Sequence, residues 1–373
     1  MSALVFDNTP QRSGVVGRFY PDHFGMTGSI ATRSDLLPAT GSTFAYMDEP
    51  MKLSLALTAY NKNDAPTQNY TGSFAKLDAT TLGSADLTKW ICTSGPQCMG
   101  LAAISGTTAL TGRLAIDTTS TNSVAPSNTT TLGGAVSGWD GGTSFFTLYA
   151  KFARGAIPDG PYDILKIGGK PLDSDGVTLP PGSSTDTTHC VDLDSTTGTE
   201  NAACNPGPTE TNLRRKLFET GIRFGRLRLV NAYGSELLPI RIDGRAEYWD
   251  GTRWVLNAAD ALTTIPQNGV MASGDIFANT CFLTNPRPAS PTNASCLTAG
   301  SPAVTLAGGT GSWFVLDKTT PQVGFADLKV NLDTMPWLRG FWSNAGSDYT
   351  EPPIARIKFG SPKAPYIYLR ERY

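Results

Sequence analysis

Apolar residues recur along this chain mainly at every second position, in short runs closed by Gly, Pro, Asn or Asp, the signature of β-strands. In MKLSLALTAY, Leu53, Leu55 and Leu57 share one face and Lys52, Ser54 and Thr58 the other, which predicts a half-buried strand. TSFFTLYAKF (143–152), YDILKIG (162–168), SWFVLD (312–317), ADLKVNLD (326–333) and ARIKF (355–359) carry the same alternation. With 39 Gly and 26 Pro in 373 residues, long helices are disfavoured as well. The predicted fold class is all-β.

Two local patterns are sharper. AEYWDGTRWVLN holds two strand-like runs around Asp250-Gly251, a pair favoured in two-residue type I′ turns. That turn would set Trp249 opposite Thr252 and Glu247 opposite Trp254, leaving the two tryptophans diagonal on one face. In the preceding GIRFGRLRLVNAYGSELL the apolar parity changes, from Ile222 and Phe224 to Leu227 and Leu229. One regular strand cannot bury both sets on one face, so a bulge is expected near Gly225 and Arg226.

Between the runs the composition turns to Thr, Ser, Gly and Asn, above all at 105–143 and 181–212, which predicts long surface loops. ARGAIPDGPYD (153–163) has the punctuation of a domain boundary. Two β-sandwich domains follow: an Ig-like one over 1–155 with an N-terminal strand, and a second over 156–373 carrying the hairpin near residue 250. Each is long enough to bury a core of its own.

The charge narrows the partners. Thirty Lys+Arg against 32 Asp+Glu give a net charge of -2, so no broad positive field exists to attract nucleic acid or anionic lipid. No window approaches the ~18 apolar residues of a membrane span, and MSALVFDNTP lacks the order of a signal peptide. The six cysteines form three close pairs, Cys92 with Cys98, Cys190 with Cys204 and Cys281 with Cys296, each in loop-like sequence. Three local disulfides are the leading reading and six unrelated buried thiols the alternative. Disulfides imply an oxidising compartment, hence an extracellular or cell-surface location and an export signal on residues upstream.

Chemistry-bearing motifs are sparse. No nucleophile elbow, zinc-protease motif, phosphate loop or dinucleotide fingerprint is present, and GGTGSWF (308–314) runs into a strand. The only histidines, His23 in YPDHF and His189 beside Cys190, read as ordinary structural or exposed side chains. No catalytic residue and no organic cofactor is assigned, although facing carboxylates of a glycosidase are a matter of three-dimensional spacing. KPLDSDGVTL sets Asp173 and Asp175 before Gly176, the opening of many calcium loops. A glutamate at the twelfth position and flanking helices are missing, so an Asx turn is the preferred reading and a calcium site the rival. The seven tryptophans read as core and hairpin packing, with a sugar-stacking platform as the alternative.

The block RFGRLRLVNAYGSELLPIRIDGRAEYWDGTRWVLNAAD (223–260) resembles the C-terminal region of MshQ-like proteins of MSHA (mannose-sensitive haemagglutinin) type IV pilus biogenesis. GRFYPDHF (17–24), FAYMDEPMKLSLALTAYNKNDAPTQNYTGSFAKL (44–77), DGPYDILKIGGKPLDSDGVTL (159–179), PWLRGFW and the final IARIKFGSPKAPYIYLRERY agree in order, so the likeness spans nearly the whole chain. Where that family carries a cysteine after the hairpin and another before the FAYM strand, this chain reads NAADALTTI and PATGSTFAYM. The resemblance implies a secreted, non-enzymatic surface module of a type IV pilus, adhesive or tip-located, whose partners are pilus subunits or a surface receptor or glycan. It supplies no catalytic residues. Loops on a rigid sandwich carry recognition, which points to 105–143 and 181–212 as the contact surface. A carbohydrate-binding or carbohydrate-cleaving domain and a purely structural stalk are the rivals.

Overall fold

The period-two runs fold as strands where the pattern puts them, because alternate side chains find an apolar interior on one side only. The structure is a computed structural model that describes residues 20–31, 44–77, 99–100, 113–116, 139–180, 193–194, 199–200, 213–265, 269–273, 280–283, 304–318, 323–342 and 349–360. Among these residues there is no α-helix, and the fold is all-β.

The first sheet runs β1 (His23–Ala31), β3 (Met51–Tyr60), β6 (Thr143–Phe152), β5 (Leu114–Ile116). The second runs β4 (Met99–Gly100), β7 (Tyr162–Gly169), β10 (Leu213–Arg223), β8 (Leu193–Asp194), β9 (Thr199–Glu200), with β2 (Phe44–Tyr46) added in parallel to β10. A third holds β11 (Gly225–Leu229), β13 (Ile240–Trp249), β19 (Thr310–Lys318) and β17 (Thr280–Leu283), with β14 (Trp254–Leu256) on β13. The fourth runs β12 (Ala232–Gly234), β21 (Ile354–Phe359), β20 (Gly324–Val330), β16 (Gly269–Ser273), and β15 (Thr264–Ile265) pairs with β18 (Val304–Thr305).

Two sandwiches result. The first core takes Phe24 and Met26 from β1, alternate residues Met51 to Ala59 of β3, Phe152, Leu165, Leu217, Ile222 and Phe224. The second takes Leu227 and Leu229, Ile240 and Ile242, Ala326 to Val330, and Ala355 to Phe359. β7 and β10 lie beyond the expected boundary at 155, yet their side chains fill the first core, and the change of core falls between Phe224 and Leu227. The parity switch in GIRFGRLRL therefore has a different origin from the expected bulge. β11 pairs with β13 without a register break; the strand simply ends at Arg223 and its continuation enters another sheet, turning its apolar side toward another core. Bulges do occur upstream, between Lys216 and Phe218 and between Thr220 and Ile222.

Parts of the expected loops are also built in. Leu114–Ile116 pairs with β6, and Trp139 is fully buried against Tyr70 and Phe24, with ring centroids 4.9 and 5.8 Å away. Leu193–Asp194 extends the second sheet from β10.

The hairpin differs from its predicted form. Trp249 lies directly opposite Trp254, so the loop is the four residues Asp250 to Arg253, not two. The cause is the Asp250 carboxylate: Oδ1 accepts from the Thr252 N–H, the Thr252 hydroxyl and the Arg253 N–H, each at 2.8 Å, which organises a longer Asx turn with only Gly251 at positive φ (99°). The tryptophans then meet edge to face at 5.8 Å.

β2 belongs to both cores. Ala45 and Met47 enter the first, Phe44 and Tyr46 the second. The Tyr46 hydroxyl donates to Asp260 Oδ2 at 2.8 Å and accepts from Asn257 Nδ2 at 2.6 Å, while Asn257 Oδ1 accepts from the Arg223 guanidinium. Gly225 is needed beside it, because a Cβ there would stand 2.3 Å from Tyr46 Cδ1.

Tyr46→Phe should therefore cost about 1–3 kcal/mol, since Asn257 and Asp260, both wholly buried, lose a partner; urea unfolding that leaves the midpoint unmoved would contradict this. A second expectation concerns Asp250. Its hydrogen bonds, that from the Arg253 N–H foremost and then those from Thr252, hold the carboxyl at about 2 against an ordinary 3.8. The folded value is depressed, so the contribution to the turn is complete above pH 3.8 and fades as pH falls toward 2. A carboxyl NMR titration midpoint near 3.8 would show that the turn is not held this way.

Candidate functional site at the junction of the two cores

The end of β2 begins the site. Asp48 follows at φ 67°, its N–H donating to the Phe152 carbonyl at 2.7 Å and its Oδ1 accepting from the Arg154 N–H at 3.1 Å. Arg154 is thereby anchored just past β6, and its guanidinium reaches across the junction to the carbonyls of Gly225 (3.0 Å), Arg339 (3.2 Å) and Pro336 (3.4 Å) while lying 4.0 Å over the Phe224 ring. Burial pushes this guanidinium down to about 10, with Asp48 and then Tyr349 opposing, so it stays charged at neutral pH.

Around it opens a cleft of about 280 Å³ lined by Asp48, Arg154, Gly155, Pro336, Arg339 and Tyr349. It shares Arg339 and Thr350 with a neighbour of about 470 Å³ that Lys329, Asn331, Asp333 and Pro352 complete. Arg339 forms an ion pair with Asp333 across that second cleft.

The same pairing of arginine with aromatic rings runs along the whole seam. Arg226 lies 4.0 Å from the Trp254 ring and 4.9 Å from the Trp342 ring, with Nε and a terminal nitrogen 2.8 and 2.6 Å from Glu247 Oε2. Arg223 stands 4.5 Å from both the Phe44 and Tyr248 rings. Arg113 pairs with Asp159 and covers Phe152 at 4.6 Å. Tyr162 donates to the same Asp159 at 2.5 Å; burial first, and then that carboxylate, push its hydroxyl up to about 12. Arg154, Arg223 and Arg226 meet residues of both bodies, whereas Arg113 ties segments of the first sandwich to each other.

The residues singled out in the sequence lie elsewhere. Asp173 is buried, with Oδ1 accepting from the N–H groups of Asp175 and Val177 at 2.9 Å each and Oδ2 from the Tyr70 hydroxyl at 3.0 Å. That is the Asx turn, with Gly176 at φ 85°, while Asp175 is exposed. Among the described residues no group of three His, Cys, Asp or Glu stands close enough to hold a metal ion. Cys92, Cys98, Cys190, Cys204 and Cys296 lie outside the described residues, as does His189; Cys281 has its backbone in β17, opposite Asp317, and so sits on a strand, not in a loop. His23 is buried in β1, stacked on Tyr60 at 5.3 Å, with Asp22 at 3.1 Å and Asp64 at 3.5 Å. Trp139 and Trp337 are buried, Trp249 and Trp254 pack against the first core, and Trp342 lies under Arg226; these five form no open stacking platform.

Family comparison places the two bodies separately. The third domain of DUF6701 matches residues 4–200 and the fourth domain matches residues 223–372. The chain belongs to the DUF6701 family. β10, between the two DUF6701 matches, supplies first-core residues and ends where the fourth domain begins. No curated protein matches the chain. Among solved structures it is similar to BcpA, the major pilin subunit of Bacillus cereus, at 7% identity and a TM-score of 0.20, over 91% of this chain and 71% of that one. A score that low carries no argument for fold or function.

What sequence reasoning missed in this DUF6701 chain is the seam. Its signal was present as arginines flanking aromatic positions in KFAR, IRFGRLR and PWLRGFW, but pairing them with one another and with the rings of FAYM requires the topology. If Arg154 bridges the bodies, Arg154→Lys should cost about 2 kcal/mol, because an ammonium cannot reach three carbonyls and stack on a ring at once. A melting temperature equal to the parent's would mean the bridge is not used.

Proposed function

We propose that the chain is a non-enzymatic, secreted surface module of an MSHA-like type IV pilus system, which works by contact with pilus subunits or with a surface receptor or glycan. The pilus association is supported by the resemblance to MshQ-like proteins over nearly the whole chain. The observation that carries the contact reading is the fate of the polar groups at the junction. Arg154 bonds the Gly225 and Arg339 carbonyls, and Asn257 and Asp260 bond the Tyr46 hydroxyl, so these groups are spent on holding one sandwich to the other, which suits a rigid display body. The described histidine is packed into a strand between two carboxylates.

A second reading, the structural stalk, is favoured by β2. A strand whose two sides fill two cores couples the sandwiches through buried contacts, as a stiff rod requires. A strain lacking this region separates the two. Loss of attachment or pilus display with secreted hydrolase activity unchanged is the expected result; unchanged attachment and display would overturn the proposal. Lost display by a strain whose purified protein binds neither pilin nor any surface ligand would assign the stalk.

A further inference from the structure

Beside the buried Arg226–Glu247 pair, the outward face of β11 and β13 carries exposed charges at 228, 241, 243 and 245 that neither core needs. Register sets Arg228 directly opposite Arg245 and Arg226 opposite Glu247, so these four side chains share one face. Residues facing across an antiparallel pair have Cβ atoms about 4.5–5.5 Å apart, and like charges there are destabilising. Leu227, Leu229, Ile242 and Ala246 on the other face bury into the second core and would do so whatever stood at 228 and 245.

The two carboxylates that β11 and β13 place on this face are already taken. Glu247 is held by Arg226 and reaches Arg228 only at 3.4 Å, and Arg228 remains half exposed. Burial lowers the Arg226 guanidinium; Glu247 opposes this, and the charge of Arg228 adds to the lowering. Further along β13, Asp243 pairs with exposed Arg241 at 3.3 Å. Arg245 is exposed and has no carboxylate partner among the described residues. On β11 and β13 alone, four arginines thus share one face with two carboxylates, in a chain whose net charge is -2, so the excess on these two strands is local and not a general basicity.

We propose that this face binds an acidic polysaccharide, its carboxylates gripped by Arg228, Arg245 and Arg241. The guanidinium fork matches a carboxylate with two parallel hydrogen bonds. Arg241 and Arg245, four residues apart on one strand with Asp243 between them, are separated by roughly 13 Å at ~3.3 Å per residue; Arg228 lies directly across from Arg245, so the cations form a spread array and not a pocket, which suits a polymer of repeated charges over a single small anion. A glycan fits better than an acidic peptide, because protein partners are anchored by exposed aromatic or large apolar side chains, and beside the arginines this face exposes one, Leu256 opposite Glu247, at its edge. The assignment deepens the contact reading and rests on it.

Binding of the purified chain to alginate, a polyuronate, tests it, with dextran as the neutral polymer, polyglutamate as the acidic peptide and Lys62→Ser, an exposed cation on the other sandwich, as control. Alginate should bind and weaken with added salt. Arg228→Ser and Arg245→Ser should each weaken it about tenfold, the worth of one charge-assisted contact. Lys62→Ser should leave it unchanged. The melting temperatures of the two arginine variants should equal or exceed the parent's, since each removes half of a repelling pair; this keeps lost binding distinct from lost folding. Absence of alginate binding, equal binding to dextran, tighter binding to polyglutamate, or alginate binding indifferent to both substitutions would each overturn the proposal. A chain that ignores alginate although its deletion abolishes attachment would remove this inference and leave the contact reading standing.

Discussion

Everything in this molecule depends on one three-residue strand having two insides. In an ordinary sandwich strand one face is apolar and the other wet, but FAYM must satisfy an apolar environment on both. Ala45 and Met47 meet the first core with small or pliable side chains, and Phe44 and Tyr46 meet the second with rings. A strand enclosed in this way must also account for its backbone groups. Parallel pairing to β10 occupies one edge, and the Tyr46 N–H is taken at 2.8 Å by Glu49, which is itself buried. Water has no access to replace any of these bonds, so the junction is formed complete or not at all.

Tyr46 brings a hydroxyl into the second core, and that hydroxyl is where the hairpin sequence acquires meaning beyond its turn. NAAD, just after the second hairpin strand, places Asn257 and Asp260 on it from one side. Thr263 closes the set, its hydroxyl donating to Asp260 Oδ2 at 2.7 Å and its N–H to Oδ1 at 3.0 Å. A buried carboxylate is tolerable only when its lone pairs are filled, and here four donors from three residues serve it: the Tyr46 hydroxyl, the Thr263 hydroxyl and N–H, and the N–H of Leu262 at 3.3 Å. Residues more than two hundred positions apart are thus bound in one polar knot between two apolar cores.

Why some of this was legible in the sequence and some was not follows from the range of the forces involved. β3, β6, β7, β20 and β21 were visible because burial of one face writes a period of two directly into the chain. The parity break after Phe224 was visible too, but a bulge and a change of sheet leave the same trace in one strand, and only the partner strands distinguish them. The hairpin failed at its turn because Asp-Gly is read by backbone preference, while the structure is decided by a carboxylate that caps two N–H groups and a hydroxyl. Asp173 was recognisable as a turn residue; its tie to Tyr70, a hundred positions earlier, was not. The arginine seam is the extreme case, since each guanidinium meets rings and carbonyls from distant segments.

The contrast among the arginines separates structural cations from available ones. Arg154, Arg223 and Arg226 each lie over a ring and against a neutral or anionic acceptor, so desolvating the charge is offset in place. Arg228 lies two positions beyond Arg226 on β11, and Arg245 stands directly across from it on β13, on the same face. Strand alternation aligns them with Arg226, so the property that seats one arginine in the seam also sets the next ones out in water, side by side. Moving β11 by one residue would bury Arg228 and expose Leu229, which the second core forbids. The position of the exposed pair is therefore imposed by the fold, while the choice of arginine there is not.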